Sequence, residues 1–369
     1  MTEFVVPCLF GLEGPAADEL RRMGIENVRA ENGRVRFSGG AAECAKANLR
    51  LRTGERVLLC LGSFEAKTFD QLFEGTRALP WADYIPKTGT FPVKGYCLDS
   101  ALHSVPDCQK IVKKAVSKAL GERYGLEWLP EGGILYQIQF SLIKDRAELY
   151  LDTTGAPLFK RGYRPGHVEA PLRETLAAAL VNFARYRGQD AFCDPFCGSG
   201  TIPIEAALTA RNRAPGLSRD FSAQKWTCFA QNAWRDAAEE ARSLEYNGPY
   251  HIFASDISPK AVALSRENAA RAGVAADITF SVADARQFTP PADCGVIVAN
   301  PPYGERMLEK NQAEALYHDF GVATAALEGW KKFVLSSDED FERMFGKKAQ
   351  KKRKLYNGMI QCNLYMYYS

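Results

Sequence analysis

The chain has 369 residues, 46% hydrophobic and 25% charged, with a formal net charge of +3. Such a length exceeds one economical hydrophobic core and suits two or three domains, and the composition excludes disordered and fibrous chains. The balanced charge excludes a globally basic nucleic-acid binder, so any such surface must come from local clusters of Lys and Arg.

The first segment alternates short strands with amphipathic helices: Phe4 to Cys8, a helix from Glu13 to Met23, then Arg34 to Phe37. A helix from Ala41 to Leu51 and a strand from Arg56 to Leu61 complete a small α+β layer over residues 1–63. A second α/β pattern covers residues 64–152. It contains Phe91 to Tyr96, a helix from Gln109 to Tyr124 carrying Lys110, Lys113, Lys114 and Lys118, and a strand pair turning at Lys144-Asp145. Residues 153–168, rich in Gly, Pro and cations, read as a hinge. From 169 to 369 strands again alternate with helices, at Ala191 to Asp194, Ile252 to Asp256, Ile278 to Val282 and Cys294 to Asn300. This βαβ series predicts a mainly parallel sheet with its ligands at the carboxyl ends of the strands. Two further strands, Lys332 to Ser337 and Gln361 to Tyr368, flank a basic connector.

The N-terminus lacks a basic stretch followed by an apolar run, and no segment reaches the roughly 18 apolar residues of a membrane span. A cytoplasmic protein is expected. The ten cysteines lack CxxC pairs and zinc-ligand spacing, which points to buried thiols and to no metal. His103, His167, His251 and His318 form no recognisable acid–base pair.

Chemistry gathers at the ends of the C-terminal strands. Asp194-Pro195-Phe196-Cys197-Gly198-Ser199-Gly200-Thr201 lies where a strand turns into a helix, and its glycines let backbone N–H groups approach a ligand. The loop is neither GxGxxG nor GxxxxGK[ST], so dinucleotide and triphosphate readings lack support. After the next strand Asp256 presents a carboxylate suited to a ribose diol, and after the third Asp284 suits an adenine amine. Each Asp alone could simply cap a helix. In series they fit an adenosine-containing ligand.

Asn300-Pro301-Pro302-Tyr303 follows the fourth strand. The two prolines stiffen the loop. An exocyclic base amine is a poor nucleophile because its lone pair is delocalised into the ring. The Asn300 side-chain oxygen and the Pro301 carbonyl can accept its two hydrogens and steer that lone pair toward an activated methyl. Tyr303 offers a face on which a splayed base can stack.

Together these residues resemble the class I S-adenosylmethionine (SAM)-dependent methyltransferases, in the amino-methylating branch with an NPPY-type motif. The resemblance covers nearly the whole chain. Residues 64–152 are similar to a THUMP RNA-binding domain, residues 1–63 to its ferredoxin-like companion, and residues 169–369 to a Rossmann-like methyltransferase domain. Asp152 to Arg164, Asn300 to Arg306 and Lys354 to Gly358 resemble the THUMP-containing guanine methyltransferases of ribosomal and transfer RNA, those of the RlmL type above all. The resemblance implies an α/β enzyme that uses SAM to methylate guanosine N2 in RNA, 23S ribosomal RNA before transfer RNA. By position it implies that Asp194, Phe196, Gly198, Gly200 and Thr201 form the cofactor loop. Asp256 would hold the ribose and Asp284 the adenine, with Ile257 and Ala285 beside the ring. Pro171, Leu172 and Thr175 would close over the methionine end, and Asn300, Pro301, Pro302 and Tyr303 would be catalytic.

Adenine N6 methylation stays open, because the Asn-Pro-Pro-Tyr motif serves it equally well. So does an RNA-binding assembly factor that retains the SAM fold. The run from Lys347 to Lys354 is either a solvated surface or an RNA phosphate contact. Oligomeric state is not legible.

Overall fold

The computed structural model describes residues 2–164, 172–303 and 310–368. Its N-terminal half runs β1 (Thr2–Pro7), α1 (Glu13–Arg22), β2 (Arg29–Glu31), β3 (Arg34–Gly39), α2 (Ala41–Arg50), β4 (Leu58–Glu65) and α3 (Phe69–Arg77). It continues with β5 (Val93–Leu98), α4 (Val105–Tyr124), β6 (Ile138–Ile143) and β7 (Arg146–Asp152). The seven strands form one sheet in the order β2-β3-β1-β4-β7-β6-β5. Strand β4 pairs antiparallel with β1 on one side and with β7 on the other. The boundary expected at residue 63 therefore falls inside a strand, and the two small units share a sheet. They also share a core, in which Phe4, Phe37 and Leu59 belong to the same cluster as Leu72, Val112 and Phe140. Lys144 and Asp145 both take positive φ, 50° and 62°, the geometry of a two-residue hairpin turn between β6 and β7.

Over its described residues, 153–164, the connector is not a free solvent-exposed hinge. Asp152, Thr153, Thr154 and Arg161 are all buried, and the Arg161 guanidinium donates to the carbonyls of Leu158 at 2.9 Å and Arg52 at 2.6 Å. Its Gly and Pro content suggested freedom, yet two of its cations, Arg161 and Arg164, are held by neighbouring segments.

The C-terminal half runs α5 (Glu174–Phe183), β8 (Ala191–Asp194), α6 (Thr201–Ala210), α7 (Gln231–Ser243), β9 (Ile252–Asp256), α8 (Pro259–Ala272), β10 (Ile278–Val282) and β11 (Gly295–Ala299). Then come α9 (Lys310–Ala325), β12 (Trp330–Ser336), α10 (Phe341–Phe345), β13 (Lys351–Asn357) and β14 (Ile360–Tyr367). The second sheet has the order β10-β9-β8-β11-β12-β14-β13, parallel from β10 to β12 and antiparallel beyond. Successive strands step one way from β8 and the other way from β11. The order thus reverses between β8 and β11, and ligands of open α/β sheets bind at the carboxyl ends beside such a reversal. Half of the basic run, Lys351 to Lys354, is instead the start of β13, an edge strand; Lys side chains suit an exposed edge because they discourage pairing with another chain.

Candidate cofactor and catalytic site

The reversal places Asp194, at the end of β8, and Asn300, just after β11, on neighbouring strands. Asp194 is buried; its Oδ1 accepts the Phe196 N–H at 3.0 Å. Its Oδ2 is also buried and has no hydrogen-bond partner among the described residues. Burial pushes this carboxyl well above the ordinary carboxylate range, and the charge of nearby Asp256 adds to the shift. A buried acid with an unused oxygen fits a cationic or N–H-bearing ligand.

The loop between β8 and α6 is shaped by glycine. Gly200 has φ +84°, and a Cβ there would stand 2.2 Å from the Ser265 Oγ, so a side chain at this position would collide with α8. Gly198, at φ +51°, donates its N–H to Asp256 Oδ2 at 3.0 Å, while Ser258 N–H donates to Asp256 Oδ1 at 2.9 Å. Asn268 on α8 donates to the Ser199 carbonyl at 2.9 Å and fixes the loop from behind. Asp256 is thereby oriented at the end of β9, beside Ile257, which is 63% exposed.

On the catalytic side, the hydroxyl of Tyr303 donates to Asn300 Oδ1, and Tyr317 on α9 donates to the Pro302 carbonyl at 2.9 Å. The Tyr303 ring packs against the buried cluster that lines one face of the sheet. Burial raises its phenol well above the usual value, with the Cys362 thiol beside it and Asn357 in hydrogen-bonding reach.

Comparison with known proteins gives this arrangement a family. The model of the "RMKL-like, methyltransferase domain" matches residues 161–366, "RlmL ferredoxin-like domain" matches 3–58 and "THUMP domain" matches 66–152. The chain belongs to this family. Its cofactor is SAM. The Bacillus subtilis RNA methyltransferase candidate YpsC is 46% identical, over 97% of this chain and 94% of that protein. The "Ribosomal RNA large subunit methyltransferase K/L" of Psychromonas ingrahamii is 34% identical over 100% of this chain, which spans 50% of that longer relative. The crystal structure of SMU.472 complexed with SAH is 39% identical with a TM-score of 0.95, covering 100% of this chain and 98% of that one. A Listeria monocytogenes structure described as a "predicted N6-adenine-specific DNA methylase" is 43% identical with a TM-score of 0.95, covering 100% and 96%.

Within this family site the residues singled out from the sequence fare unevenly. Asp194, Gly198, Gly200, Thr201 and Asp256 come together around one loop. Ala285 is buried beside it in sequence to Asp284, whose carboxylate is gripped by its own neighbour: Arg286 Nε stands 3.0 Å and 2.9 Å from the two oxygens. Asp284 also caps a short helical turn through the Arg286 N–H, the plain structural role of an Asp after a strand. The Phe196 ring is turned onto Phe320 of α9, centroids 5.1 Å apart, and serves the core. Leu172 is buried, and Thr175 donates its hydroxyl to Glu55 at 2.7 Å, tying α5 to the N-terminal half. Pro171 and Gly304 to Arg306 lie outside the described residues. Tyr303 packs its ring against a buried cluster and gives its hydroxyl to Asn300, so in this conformation the ring is not a free stacking platform.

Sequence reading missed Arg164. Its guanidinium reaches Thr201 Oγ1 at 3.2 Å, the Leu172 carbonyl at 3.2 Å and Glu174 at 2.6 Å, and so clamps the start of α6, just after the Gly198–Gly200 turn, to α5. Ser265 and Asn268 were also missed. They carry no motif and meet the loop only because α8 folds back across it.

Proposed function

We propose that the protein methylates the N2 amine of a guanosine in large-subunit ribosomal RNA. The observation that carries this reading is the delivery of Asn300-Pro301-Pro302-Tyr303 by β11 to the strand-order reversal, next to the Asp194 and Asp256 loop. Bound SAM supplies a methyl made electrophilic by its sulfonium. The chain's residues do the rest. Asp194 offers the unused carboxylate oxygen to a donor on the cofactor, Asp256 faces the ribose hydroxyls, and the loop N–H groups face the methionine end. Asn300 Oδ1 and the Pro301 carbonyl accept the two amine hydrogens, which orients the lone pair. As the nitrogen becomes positive these acceptors strengthen their hold, so their contribution falls mainly in the transition state. The Tyr303 hydroxyl donates to the same Asn300 oxygen. Entry of the base has to displace it, which frees the tyrosine ring to meet the base.

The THUMP match and the names of the K/L relatives support ribosomal RNA as substrate. Nucleoside mass spectrometry of ribosomal RNA from cells with and without the gene tests it: loss of one N2-methylguanosine is expected. Loss of N6-methyladenosine instead would transfer the same geometry to adenine, the base named for the Listeria relative. Unchanged RNA and a protein that binds SAM would favour the assembly-factor reading.

A further inference from the structure

We propose that β13 and the loop after β1 form one docking strip for the single-stranded RNA that flanks the target base. This inference rests on the RNA reading above. The strip joins a basic edge to an aromatic one. Lys347, Lys348, Lys351 and Lys354 are exposed, and among the described residues only Lys352 of this run's lysines has a salt bridge, to Glu342 at 2.7 Å. Four cations without a salt bridge among the described residues, Lys348 alone of them with an acid, Glu342, close enough to feel its charge, attract a polyanion along this edge.

Beside them stands Phe10, 60% exposed, with its ring edge-on to Tyr356 at a centroid distance of 6.2 Å. Lys354 Nζ lies 5.6 Å from the Tyr356 ring centroid. Met359, at the turn between β13 and β14, is 97% exposed. A lysine-bearing edge strand is sufficiently explained as protection against sheet pairing. Exposed Phe10 and Met359 are not, since they weaken that protection; alternating cations and rings are what single-stranded RNA binds, through phosphates and stacked bases.

Close approach between the two halves gives the strip its place. Gly11, at φ +90°, lies so close to β13 that a Cβ would stand 2.9 Å from the Lys354 carbonyl, and Arg353 donates to the Gly11 carbonyl at 3.2 Å. The two halves of the chain thus build the strip jointly and hold it rigidly. β13 runs antiparallel to β14, and β14 antiparallel to β12, so the Asn357 end of the strip lies at the same carboxyl edge of the sheet where β11 delivers Asn300. RNA lying along it would lead its target base to Asn300.

The test uses the full-length protein and an unmodified transcript of large-subunit ribosomal RNA. A Lys348→Gln/Lys351→Gln/Lys354→Gln variant, its Arg counterpart and Phe10→Ala are compared with the wild type for RNA affinity against salt, for KM and kcat, and for calorimetric SAM affinity. The Gln variant should bind RNA about tenfold or more weakly at low salt, with its log–log salt slope lowered by about one for each phosphate no longer neutralised. Its KM for RNA should rise, with kcat and SAM affinity kept. The Arg variant should bind like the wild type, and Phe10→Ala should weaken binding about tenfold with little change in slope. A Gln variant with wild-type slope and KM overturns the strip and leaves the RNA reading standing. A wild-type protein that binds no RNA, or prefers single-stranded DNA of the same sequence, overturns both.

Discussion

Asp194 and Asn300 do opposite kinds of work. Asp194 is a buried acid whose carboxyl is pushed up by burial and by Asp256. Between the ordinary carboxylate range and that raised value, the folded protein keeps a proton that the unfolded chain has released. Stability of the unliganded protein therefore falls as pH rises through that window. Asp194→Asn keeps an oxygen for the Phe196 N–H and removes the charge. The variant should melt at or above the wild-type temperature near neutral pH, with the gap narrowing as pH falls, while its calorimetric affinity for SAM drops. A variant less stable than wild type at neutral pH would refute the assignment of a strained acid. Asn300→Ala should leave SAM and RNA affinity nearly intact and slow single-turnover methyl transfer by about 10²–10³-fold, the usual loss for one transition-state acceptor or donor. Tyr303→Phe leaves Asn300 uncapped and keeps the ring, so much of the activity should remain.

Among the elements, the segment between α6 and β9 departs furthest from a role in the catalytic core alone. Phe221, Ala223, Trp226, Trp234 and Ala237 belong to the hydrophobic cluster of the N-terminal sheet. Trp226 is fully buried, stacks on Tyr136 at 5.0 Å and donates its indole N–H to the Leu135 carbonyl at 3.0 Å. Trp226→Ala should cost about 3–5 kcal/mol of stability, measured by urea unfolding monitored at several probes. A loss under about 1 kcal/mol, the range of surface substitutions, would mean that this insertion only rests on the N-terminal half. Strand β13 makes the complementary point. Its sequence is that of a solvated charge run, and only pairing with β14, seven residues in register from Lys351 to Asn357, makes it a strand.

At the scale of the whole molecule the two halves are welded by buried charge. Arg161 and Glu205 have side chains 2% and 0% exposed and pair at 3.4 Å, and Tyr163 donates to the same Glu205 oxygen at 3.0 Å. Arg52 from the N-terminal half donates to the carbonyls of Leu208 and Arg213 at 3.1 Å and 2.8 Å, at the far end of α6. Glu205→Ala strands the Arg161 charge and should destabilise the full chain by about 3–5 kcal/mol, read from thermal or urea unfolding. For the same reason a fragment from residue 154 onward, deprived of Arg52 and of the sheet that covers Trp226, should show no cooperative unfolding. A fragment that melts cooperatively and binds SAM like the full chain would show that the catalytic half is independent after all.

The sequence by itself determined the local chemistry: the Gly198 and Gly200 turn, an acid after each of three consecutive strands, and Asn300 followed by two prolines. These are legible because strand-end loops depend on residues adjacent in the chain, and because backbone conformation restricts which side chains fit. It also determined the alternation of strands and helices that makes the second sheet parallel. Tertiary structure alone decided the rest. That β4 fuses two small units into one sheet, that residues 221–237 serve the N-terminal core and that Arg164 clamps the start of α6 all depend on contacts between segments far apart in the chain. The connector's Gly and Pro residues describe local freedom, but at Arg161 the burial against Glu205 removes it, because a desolvated charge is held wherever its partners are held.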